Sequence, residues 1–490
     1  MKLPRWLWPF GDTEARNFAP EPEDNFGSRD TWRPRDVGPN GIDYEWTLMR
    51  SRVRDLVERN PHAASAMQGL VGNLVGTGIP ARSLEAEEWF NTKFGDTFTA
   101  WADSPVDIQG QHNFWSVQRQ LAQGLVVVES LVQRVPAKVS DGLEIPLMLR
   151  PIESEMLDHT MNEQLSSGNV VVNGVELDPR GRRVAYWLYR HHPGDRSRTL
   201  ASSLDTVRVP EADIAHFFFS NRMGATRGSI WLSPVVSKLR DQDDLDDAEL
   251  VAAKIAACFT VVVTTDAPNA SKQTVGPTLT DAKGKRIEQL EPGLIVYQRG
   301  GGDIKSFTPA AKNGAELWRK SNLQTISAGM RIPYAIMTGD LSNTSWASSR
   351  VGHAQFHRSM SMLQHQSFIP GMRKVGKWIV DAGYVAGKWR RPAIKLGWTP
   401  PRFESPNPLE DAKVSALRVR NGQSTLGMEI ASDGNDPHEV WRERAKELAE
   451  HERLKLILDT DPGKTMAPGG AGAVAYTQDA PPTDTNPAGS

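Results

Sequence analysis

Residues 318–373 read WRKSNLQTISAGMRIPYAIMTGDLSNTSWASSRVGHAQFHRSMSMLQHQSFIPGMR and decide the fold, because they predict a helix, a polar loop and a second long helix. Leu323, Ile326 and Met330 follow the i, i+3, i+7 spacing of one apolar helix face. Pro333 then ends the first helix, because its ring clashes with the preceding turn and it has no N–H group to donate.

The predicted loop, residues 332–348, is rich in small polar residues. Its central residues are Thr338, Gly339, Asp340, Leu341, Ser342, Asn343, Thr344 and Ser345. The second helix restarts near Trp346, and Pro370 predicts a kink in it. Its apolar positions are Val351, Phe356, Met360, Leu363 and Met372. No catalytic constellation lies between the two helices, so this stretch indicates architecture rather than chemistry.

Length and composition restrict the class of protein. A chain of 490 residues exceeds the size at which a single core stops growing. Its net charge of −2 lacks the basic excess of proteins that grip nucleic acid tightly, so any contact with DNA should be loose. The single cysteine, Cys258, excludes an intramolecular disulfide and a cysteine-based zinc site.

Targeting signals are also absent from the sequence pattern. No run approaches the roughly 18 apolar residues that span a bilayer. The apolar N-terminus, residues 1–10, is broken by prolines and lacks a small-residue cleavage site, so it does not predict a signal peptide. We expect no membrane partner and synthesis in a cytoplasm.

Strand-like patterns lie between residues 123 and 219. The dipeptide Asn173-Gly174 within residues 171–177 predicts a tight hairpin. The other predicted strands are residues 125–128, 184–189 and 214–219. Together with the helices on either side, these strands predict an α+β body.

Helices are predicted before and after this region. Asn60-Pro61 supplies an N-cap and a favoured first position for a helix that ends at Gly76. Residues 234–258 form a longer helical pattern. Further on, the sequence predicts strands at 261–263 and 294–297, a long polar stretch at 266–293 between them, and helices within 407–459.

Two segments resemble the lambda-type portal proteins of tailed bacteriophages. GDLSNTSWASSR, residues 339–350, followed by Phe356 and Gln366, resembles the tunnel-loop region of that family. LMRSRVRDLVERNPHAASA, residues 48–66, continued by GTGI at residues 76–79, resembles its opening segment. The two segments occur in the family's order, and the resemblance covers Asp43 to Asp459. Trp346 departs from the expected tyrosine, so the aromatic ring is kept and the hydroxyl is not.

The resemblance implies an α+β portal architecture. Its predicted parts are an irregular N-terminal arm (1–40), a wing (41–233), stem helix 1 (234–258), a clip (259–310), stem helix 2 (311–331), a tunnel loop (332–348), a long kinked helix returning to the wing (349–404), a helical crown (405–459) and a disordered tail (460–490).

The resemblance also implies a function without enzymatic activity, cofactor or metal. Twelve copies would form a ring at one capsid vertex, through which double-stranded DNA is packaged and ejected. The clip would bind the terminase large subunit and later the head-completion or connector proteins. The wing and crown would contact the major capsid protein, the scaffold protein and the packaged genome. The protein would assemble in the host cytoplasm and reside in the virion.

An acidic cluster lies in stem helix 1. Its members are Asp241, Asp243, Asp244, Asp246, Asp247 and Glu249. They form either a solvated helix face, favoured near the N-terminal half by the helix dipole, or a channel lining. In a ring, inward carboxylates would repel a duplex that carries one charge per ~1.7 Å and so keep it centred and sliding. The resemblance favours the second interpretation without specifying which acids face inward.

The predicted tunnel loop also has two interpretations. It is either an ordinary surface connection or an uncharged, compliant strip, with Asp340 as its only carboxylate. Such a strip would touch a passing phosphate backbone without trapping it. By the resemblance, it lines the narrowest part of the channel.

A basic stretch precedes the first predicted helical hairpin. It comprises Arg50, Arg52, Arg54 and Arg59, interleaved with Glu45, Asp55 and Glu58. The arginines form either a nucleic-acid patch or, given the interleaved acids, a solvated or intersubunit ion-pair face. We favour the ion pairs.

Catalytic and metal motifs are not supported. His353 and His357 have i, i+4 spacing without a third ligand, so we interpret them as ordinary helix histidines. Gly463-Lys464-Thr465 lacks the first glycine of a phosphate-binding loop. DNA movement would therefore need a separate motor. The alternatives are a DNA-processing enzyme, such as a nuclease or an integrase-like protein, and another ring-forming head–tail adaptor, although adaptors are usually much shorter.

Overall fold

The computed structural model describes most of the chain, which divides into two compact units, Met1–Pro406 and Asn407–Ser490. The described residues are 38–42, 44–195, 205–265, 279–280, 286–287, 294–299, 315–342, 346–401, 408–432, 435 and 437–455. The predicted tail and all but the last three residues of the predicted arm lie outside these ranges.

The elements combine helices with mostly antiparallel strands, which confirms the predicted α+β class. The helices are α1 Tyr44–Arg59, α2 Pro61–Val75, α3 Glu88–Asp103, α4 Phe114–Val127, α5 Val236–Cys258, α6 Ala315–Met330, α7 Tyr334–Thr338, α8 Trp346–Leu363, α9 Ile369–Val385, α10 Pro408–Arg420, α11 Leu426–Ser432 and α12 Pro437–Leu454. The strands are β1 Ala81–Ser83, β2 Glu129–Pro136, β3 Leu147–Glu153, β4 Glu163–Gln164, β5 Val170–Val172, β6 Val175–Leu177, β7 Arg183–Tyr189, β8 Thr206–Pro210, β9 Ile214–Phe218, β10 Phe259–Thr265, β11 Leu279–Thr280, β12 Arg286–Ile287, β13 Leu294–Arg299 and β14 Leu396–Trp398.

Two antiparallel sheets organise the first unit. One has the order β3-β2-β9, and the other is a meander in the order β4-β5-β6-β7-β8. The predicted Asn173-Gly174 turn is confirmed: it joins β5 to β6, with φ values of 52° and 81°. Both residues have the positive φ that a type I′ hairpin requires, which explains this dipeptide. The strands predicted at 184–189 and 214–219 are β7 and β9.

Local sequence signals specify where α2 and α4 begin. The side chain of Asn60 accepts a hydrogen bond from the Ala63 amide at 2.9 Å and caps α2, while Pro61 occupies its first turn. The predicted N-cap is therefore confirmed. Asn113 caps α4 in the same way, through the Ser116 amide at 2.9 Å. These caps satisfy amide donors that the first helical turn leaves unpaired.

The strand predicted at residues 125–128 is wrong. Residues 125–127 form the last turn of α4, and the chain becomes a strand only at Glu129. Leu121 and Leu125 are both buried and lie four residues apart, so they share one helix face. The valine run favours a strand locally, but burial on this capped helix decides its conformation.

A buried polar network joins the two sheets. Glu129 of β2 is fully buried, and its Oε1 accepts hydrogen bonds from Arg227 Nε at 2.6 Å and Ser154 Oγ at 2.8 Å. Its Oε2 accepts from the Gly228 amide at 2.9 Å and pairs with His216 Nε2 at 3.0 Å. The carboxylate therefore has a partner at each available position, as a buried charge requires.

The second long helix is interrupted where the sequence predicted a kink. A π-helical segment, Gln364–Phe368, lies between α8 and α9, and Pro370 falls in the first turn of α9. The Gln364 side chain donates to the carbonyls of Asn73 and Leu74 at 3.1 and 3.0 Å. Those carbonyls belong to the last turn of α2, which would otherwise lack partners.

The region after α5 is described only in part. β10 and β13 confirm the strands predicted at 261–263 and 294–297, and they pair in parallel. Most of the polar stretch at 266–293 lies outside the described residues. In the second unit, α10, α11 and α12 confirm the predicted helices within 407–459.

Candidate nucleic-acid interface

The two helices predicted as the stem pack against each other, and we call α5 and α6 the stem pair. Asn322 Nδ2 donates to Gln242 Oε1 at 2.9 Å, and Arg319 Nη2 contacts Glu249 Oε2 at 2.8 Å. The later residue of α5 thus meets the earlier residue of α6, so the helices run antiparallel. Leu323, Ile326 and Met330 are buried, which confirms the predicted apolar face of α6.

Three of the six predicted channel acids bind residues outside α5. Arg319 Nη2 lies 2.6 Å from Asp246 Oδ1 as well as 2.8 Å from Glu249. Asp243 Oδ1 accepts a hydrogen bond at 2.7 Å from Asn60, the residue that caps α2. These three carboxylates therefore tie the stem pair together and attach it to the start of α2.

The other three acids, Asp241, Asp244 and Asp247, are exposed. Asp244 pairs with Arg240 at 3.1 Å, but both side chains are largely exposed, so the pair restrains them weakly. Residues three apart on a helix differ by about 60° around its axis, so these acids spread over about 120°. The solvated-face and channel interpretations both remain open for them.

The short helix α7 lies within residues 332–348, where the sequence predicted a loop throughout. α6 ends at Met330, where Arg331 adopts a left-handed φ of 62°, so the helix stops before it reaches Pro333. Pro333 lies in extended conformation at the N-cap of α7, with a φ of −60° and a ψ of 140°. α7 ends at Gly339, whose φ of 71° is the left-handed conformation that glycine adopts without strain.

Asp340 is held in place after this turn. Its Oδ1 accepts hydrogen bonds from the Ser342 amide at 2.9 Å and from Ser342 Oγ at 2.6 Å. The Thr338 hydroxyl accepts from the Asp340 amide at 3.2 Å. The Ser342 hydrogen bonds lower the pKa of Asp340 below its ordinary value, so this carboxylate is ionised at neutral pH.

The rest of the predicted loop is partly outside the described residues. Leu341 and Ser342 are exposed. Asn343, Thr344 and Ser345 lie outside the described ranges, and α8 begins at Trp346 as predicted. The loop thus presents one fixed carboxylate beside one exposed leucine in the part that can be described.

The basic stretch on α1 is neither a free nucleic-acid patch nor a solvated face at its centre. Arg50 is buried, and its Nε lies 3.0 Å from Glu155 Oε1. Arg54 pairs with Glu153 at 3.0 Å and with Glu155 at 2.6 Å. Only Arg59, paired with Asp55 at 2.9 Å, uses an interleaved acid. Arg50, Arg54 and Arg59 therefore form ion pairs within the chain, where the sequence predicted a solvated or intersubunit face, and Arg50 and Arg54 use acids about a hundred residues away.

The described part of the chain contains no clear metal site. There, the one His and carboxylate group with metal-ligand spacing is Glu153, Glu155 and His192, and both carboxylates already pair with arginines. The rings of His353 and His357 lie 5.9 Å apart. Within the described residues, no helix is both long enough and apolar enough to cross a bilayer.

Comparison with known proteins gives the family. Residues 27–364 match the family described as phage portal protein, lambda family. This chain therefore belongs to the lambda family of phage portal proteins, which confirms the resemblance found in the sequence. Proteins of this family are structural virion components that form oligomeric rings, and they are not enzymes. The alternative of a DNA-processing enzyme is thereby excluded.

Individual relatives are more distant. The chain is 23% identical over 427 residues to a probable portal protein of Halomonas phage phiHAP-1, an alignment that covers 83% of this chain and 81% of the relative. A solved chain from the virion of a native gene transfer agent particle has a TM-score of 0.42 and 13% identity, covering 79% of this chain and 94% of that one. A chain from the neck of an empty gene transfer agent particle has a TM-score of 0.39 and 13% identity, with the same coverage.

Proposed function

We propose that twelve copies of this portal protein close around an axis that conducts double-stranded DNA, and that the stem pair and tunnel loop line this channel. The observation that carries the proposal is the division of the stem acids into a set that binds other elements and an exposed set. Asp241, Asp244 and Asp247 are exposed, with Asp244 in a largely exposed pair with Arg240 of the same helix, whereas the other three bind residues outside α5.

The position of the wing indicates which of the exposed acids faces the channel. Asp243 binds Asn60, so this side of α5 carries α2 and the body of the wing. In a closed ring that body must lie outside the stem, because the axis has to stay empty. Asp241 precedes Asp243 by two residues and lies about 200° around the helix. Asp241 is therefore the stem acid best placed to face the channel.

The negative charge of Asp241 favours the passage of DNA over the binding of DNA. A ring of carboxylates repels the duplex from every side, and the nearly neutral chain supplies no opposing general attraction. The ionised Asp340, between Leu341 and the small polar residues of the tunnel loop, extends the same surface. DNA would then be centred and free to slide, driven by a motor that this chain does not contain.

The remaining parts of the chain supply the other contacts. The clip, residues 259–310, would dock the terminase large subunit during packaging and the head-completion or connector proteins afterwards. The wing (41–233) and the crown (405–459) would contact the capsid shell, the scaffold protein and the genome, and the kinked helix (349–404) would return the chain to the wing. Assembly would take place in the host cytoplasm.

A matched pair of substitutions tests the channel acid. Asp241→Asn and Asp247→Asn remove the same charge from exposed positions on different sides of α5. Asp241→Asn should slow DNA packaging several-fold in a motor-driven packaging assay, and Asp247→Asn should slow it less. Electron microscopy should show rings for both. Equal packaging rates for Asp241→Asn and the unmodified protein would contradict this assignment.

The tunnel loop requires a separate test. Asp340→Asn together with Ser342→Ala removes both the charge and the side chain that fixes it. We expect packaged DNA to be retained differently, measured as the fraction of full capsids that keep their genome after the motor is removed. Thr325→Ala, at an exposed position on α6, is the control. Unchanged retention in the double variant would exclude a role for this loop.

A further inference from the structure

Exposed apolar side chains gather at one end of the stem pair. Leu250 and Val251 on α5 are 51% and 53% exposed, and Leu317 and Trp318 on α6 are 72% and 48% exposed. All four lie at the end of the stem pair that is remote from the wing, beyond the Arg319 ion pairs. Apolar groups of this size gain about 1.5–3 kcal/mol each when fully buried, so their exposure calls for a partner.

These residues lie at nearly the same height along the stem. Arg319 contacts Asp246 and Glu249, and Asn322 contacts Gln242, which fixes the level of α6 beside α5. By this register Leu317 lies level with Ala248. Val251 is about 4.5 Å further along, less than one helical turn.

Val251 and Leu317 also lie on opposite edges of the stem pair. Val251 follows Glu249 by two residues, about 200° around α5, so it points away from α6. Leu317 precedes Arg319 by two residues and points away from α5 for the same reason. We call the surface of α5 around Asp244, Ala248 and Val251 the α5 edge. The α6 edge is the surface around Leu317, Ser321, Gln324 and Ala328.

A cyclic ring brings such edges together. Rotation about the ring axis keeps the height of every residue when the stem runs along that axis, and ring contacts join two different surfaces of one subunit. We infer that the α5 edge of one copy packs against the α6 edge of the next, with Ala248 and Val251 against Leu317. This inference rests on the proposed ring and specifies which surfaces close it.

The rest of the two edges is chemically compatible. By the same register Asp244 lies level with Ser321, whose hydroxyl is able to donate a hydrogen bond to a carboxylate. The α6 edge carries no charged side chain at these four positions, so Asp244 meets no like charge there. Asp241 lies about 60° from Asp244 around α5, on the side of the α5 edge that is turned away from Asn60, where the proposed channel needs it.

Cysteine cross-linking tests the contact directly. Cys258 is the only native cysteine, so the variants carry Cys258→Ser. Ala248→Cys with Leu317→Cys should give a ladder of disulfide-linked multimers under oxidation, read on a non-reducing gel. Ala248→Cys with Ala328→Cys is the matched control, because Ala328 lies on the same edge about 16 Å further along α6. This control should remain monomeric on the gel.

A charge substitution provides an independent measurement. Leu317→Asp places a carboxylate against Ala248 and Val251 of the next copy, about one helical turn from Asp244, and should raise the subunit concentration for half-assembly at least tenfold, measured by mass photometry. Thr325→Asp adds the same charge to an exposed position of α6 off this edge and should have little effect. Circular dichroism should be unchanged in both, because both sites are exposed.

The outcomes separate the inference from the proposed function. Rings seen by electron microscopy without a disulfide ladder, or with equal ladders in the test and control pairs, would overturn the edge contact and leave the ring intact. Absence of rings from the unmodified protein would overturn both. A ladder confined to Ala248 and Leu317, with assembly weakened only by Leu317→Asp, would support the contact.

Discussion

The α+β body that the sequence predicted as the wing (41–233) and the three helices of the second unit bury their side chains to very different extents. Large wing side chains such as Phe98, Trp101 and Phe114 are almost completely buried and contact one another. Among the described residues of α10, α11 and α12, none is buried. Isolated helices of this length are marginal in water. The wing therefore carries its own stability, whereas the second unit must gain stability from contacts outside its own helices.

The largest expected effect comes from the buried ion pair of the wing. Arg227→Ala leaves the Glu129 carboxylate buried without its main charged partner. Removing one partner of such a pair costs about 3–5 kcal/mol in the free energy of unfolding. Urea unfolding followed by circular dichroism measures this loss.

A surface ion pair of the second unit is the control. Arg453 and Glu450 are both exposed, so Arg453→Ala should produce no measurable change in the urea midpoint. Similar losses for Arg227→Ala and Arg453→Ala would break the contrast between the two regions.

The same leucine substitution can be compared in both regions. Leu70→Ala opens a cavity in the wing core and should reduce the free energy of unfolding by about 2–5 kcal/mol. Leu417→Ala removes an exposed side chain of α10 and should change it by less than about 0.5 kcal/mol in the unassembled chain. A large loss at Leu417 in unassembled chain would show that the second unit has a core of its own.

Acid should destabilise the wing through His216. Burial lowers the pKa of His216 to about 4, and its Nδ1 lies 2.7 Å from the Arg183 guanidinium. The unfolded chain, with a histidine pKa near its ordinary 6.5, binds this proton more readily. Stability should therefore fall by about 2–3 kcal/mol as pH decreases from about 6.5 to 4.

Unfolding curves at several pH values check this slope. His216→Gln keeps an acceptor for Arg183 and a donor for Glu129 but does not titrate in this range. Its stability should vary less with pH than that of the unmodified protein. An equal slope in both would assign the acid sensitivity to other groups.

Substitutions at two helical glycines should change the stability in opposite directions. An added Cβ at Gly371 would lie 2.3 Å from the buried Phe217 ring, so Gly371→Ala should cost about 1–3 kcal/mol. An added Cβ at Gly352 on α8 meets nothing within 4 Å. Gly352→Ala should therefore stabilise the chain by about 0.5–1 kcal/mol. Thermal unfolding of the two variants measures the sign of each change in stability. Destabilisation by both substitutions would contradict the packing argument.

Local and periodic features of this protein could be predicted from its sequence. Asn60-Pro61 and Asn173-Gly174 specify a helix start and a hairpin through interactions within a few residues, so short-range chemistry is sufficient. The apolar face of α6 follows from its spacing. The family could also be recognised, because the tunnel-loop and opening segments lie within residues that match it.

Long-range features could not be predicted in this way. Arg50 and Glu155 are 105 positions apart in the numbered sequence, and Glu129 and Arg227 are 98 apart, so neither pair has a local signature. The strand predicted at 125–128 failed because a short apolar run fits either a buried helix or a strand. The exposure of Asp241 and the pairing of Asp246 depend on where α6 lies, which spacing within α5 does not specify.

The π-helical segment Gln364–Phe368 would allow α8 to shift by a defined distance along its axis. Conversion of this wider turn to α-helix would advance α8 by about 1.5 Å and rotate it by about 100°, while α9 stayed fixed. The amide of Gln364 opposes that movement, because it is anchored to the end of α2. Faster hydrogen exchange along α8 in Gln364→Ala would reveal the released movement, and unchanged exchange would rule it out. An axial force on the tunnel loop would therefore be resisted by the Gln364 side chain, whose hydrogen bonds to α2 must break before α8 can move.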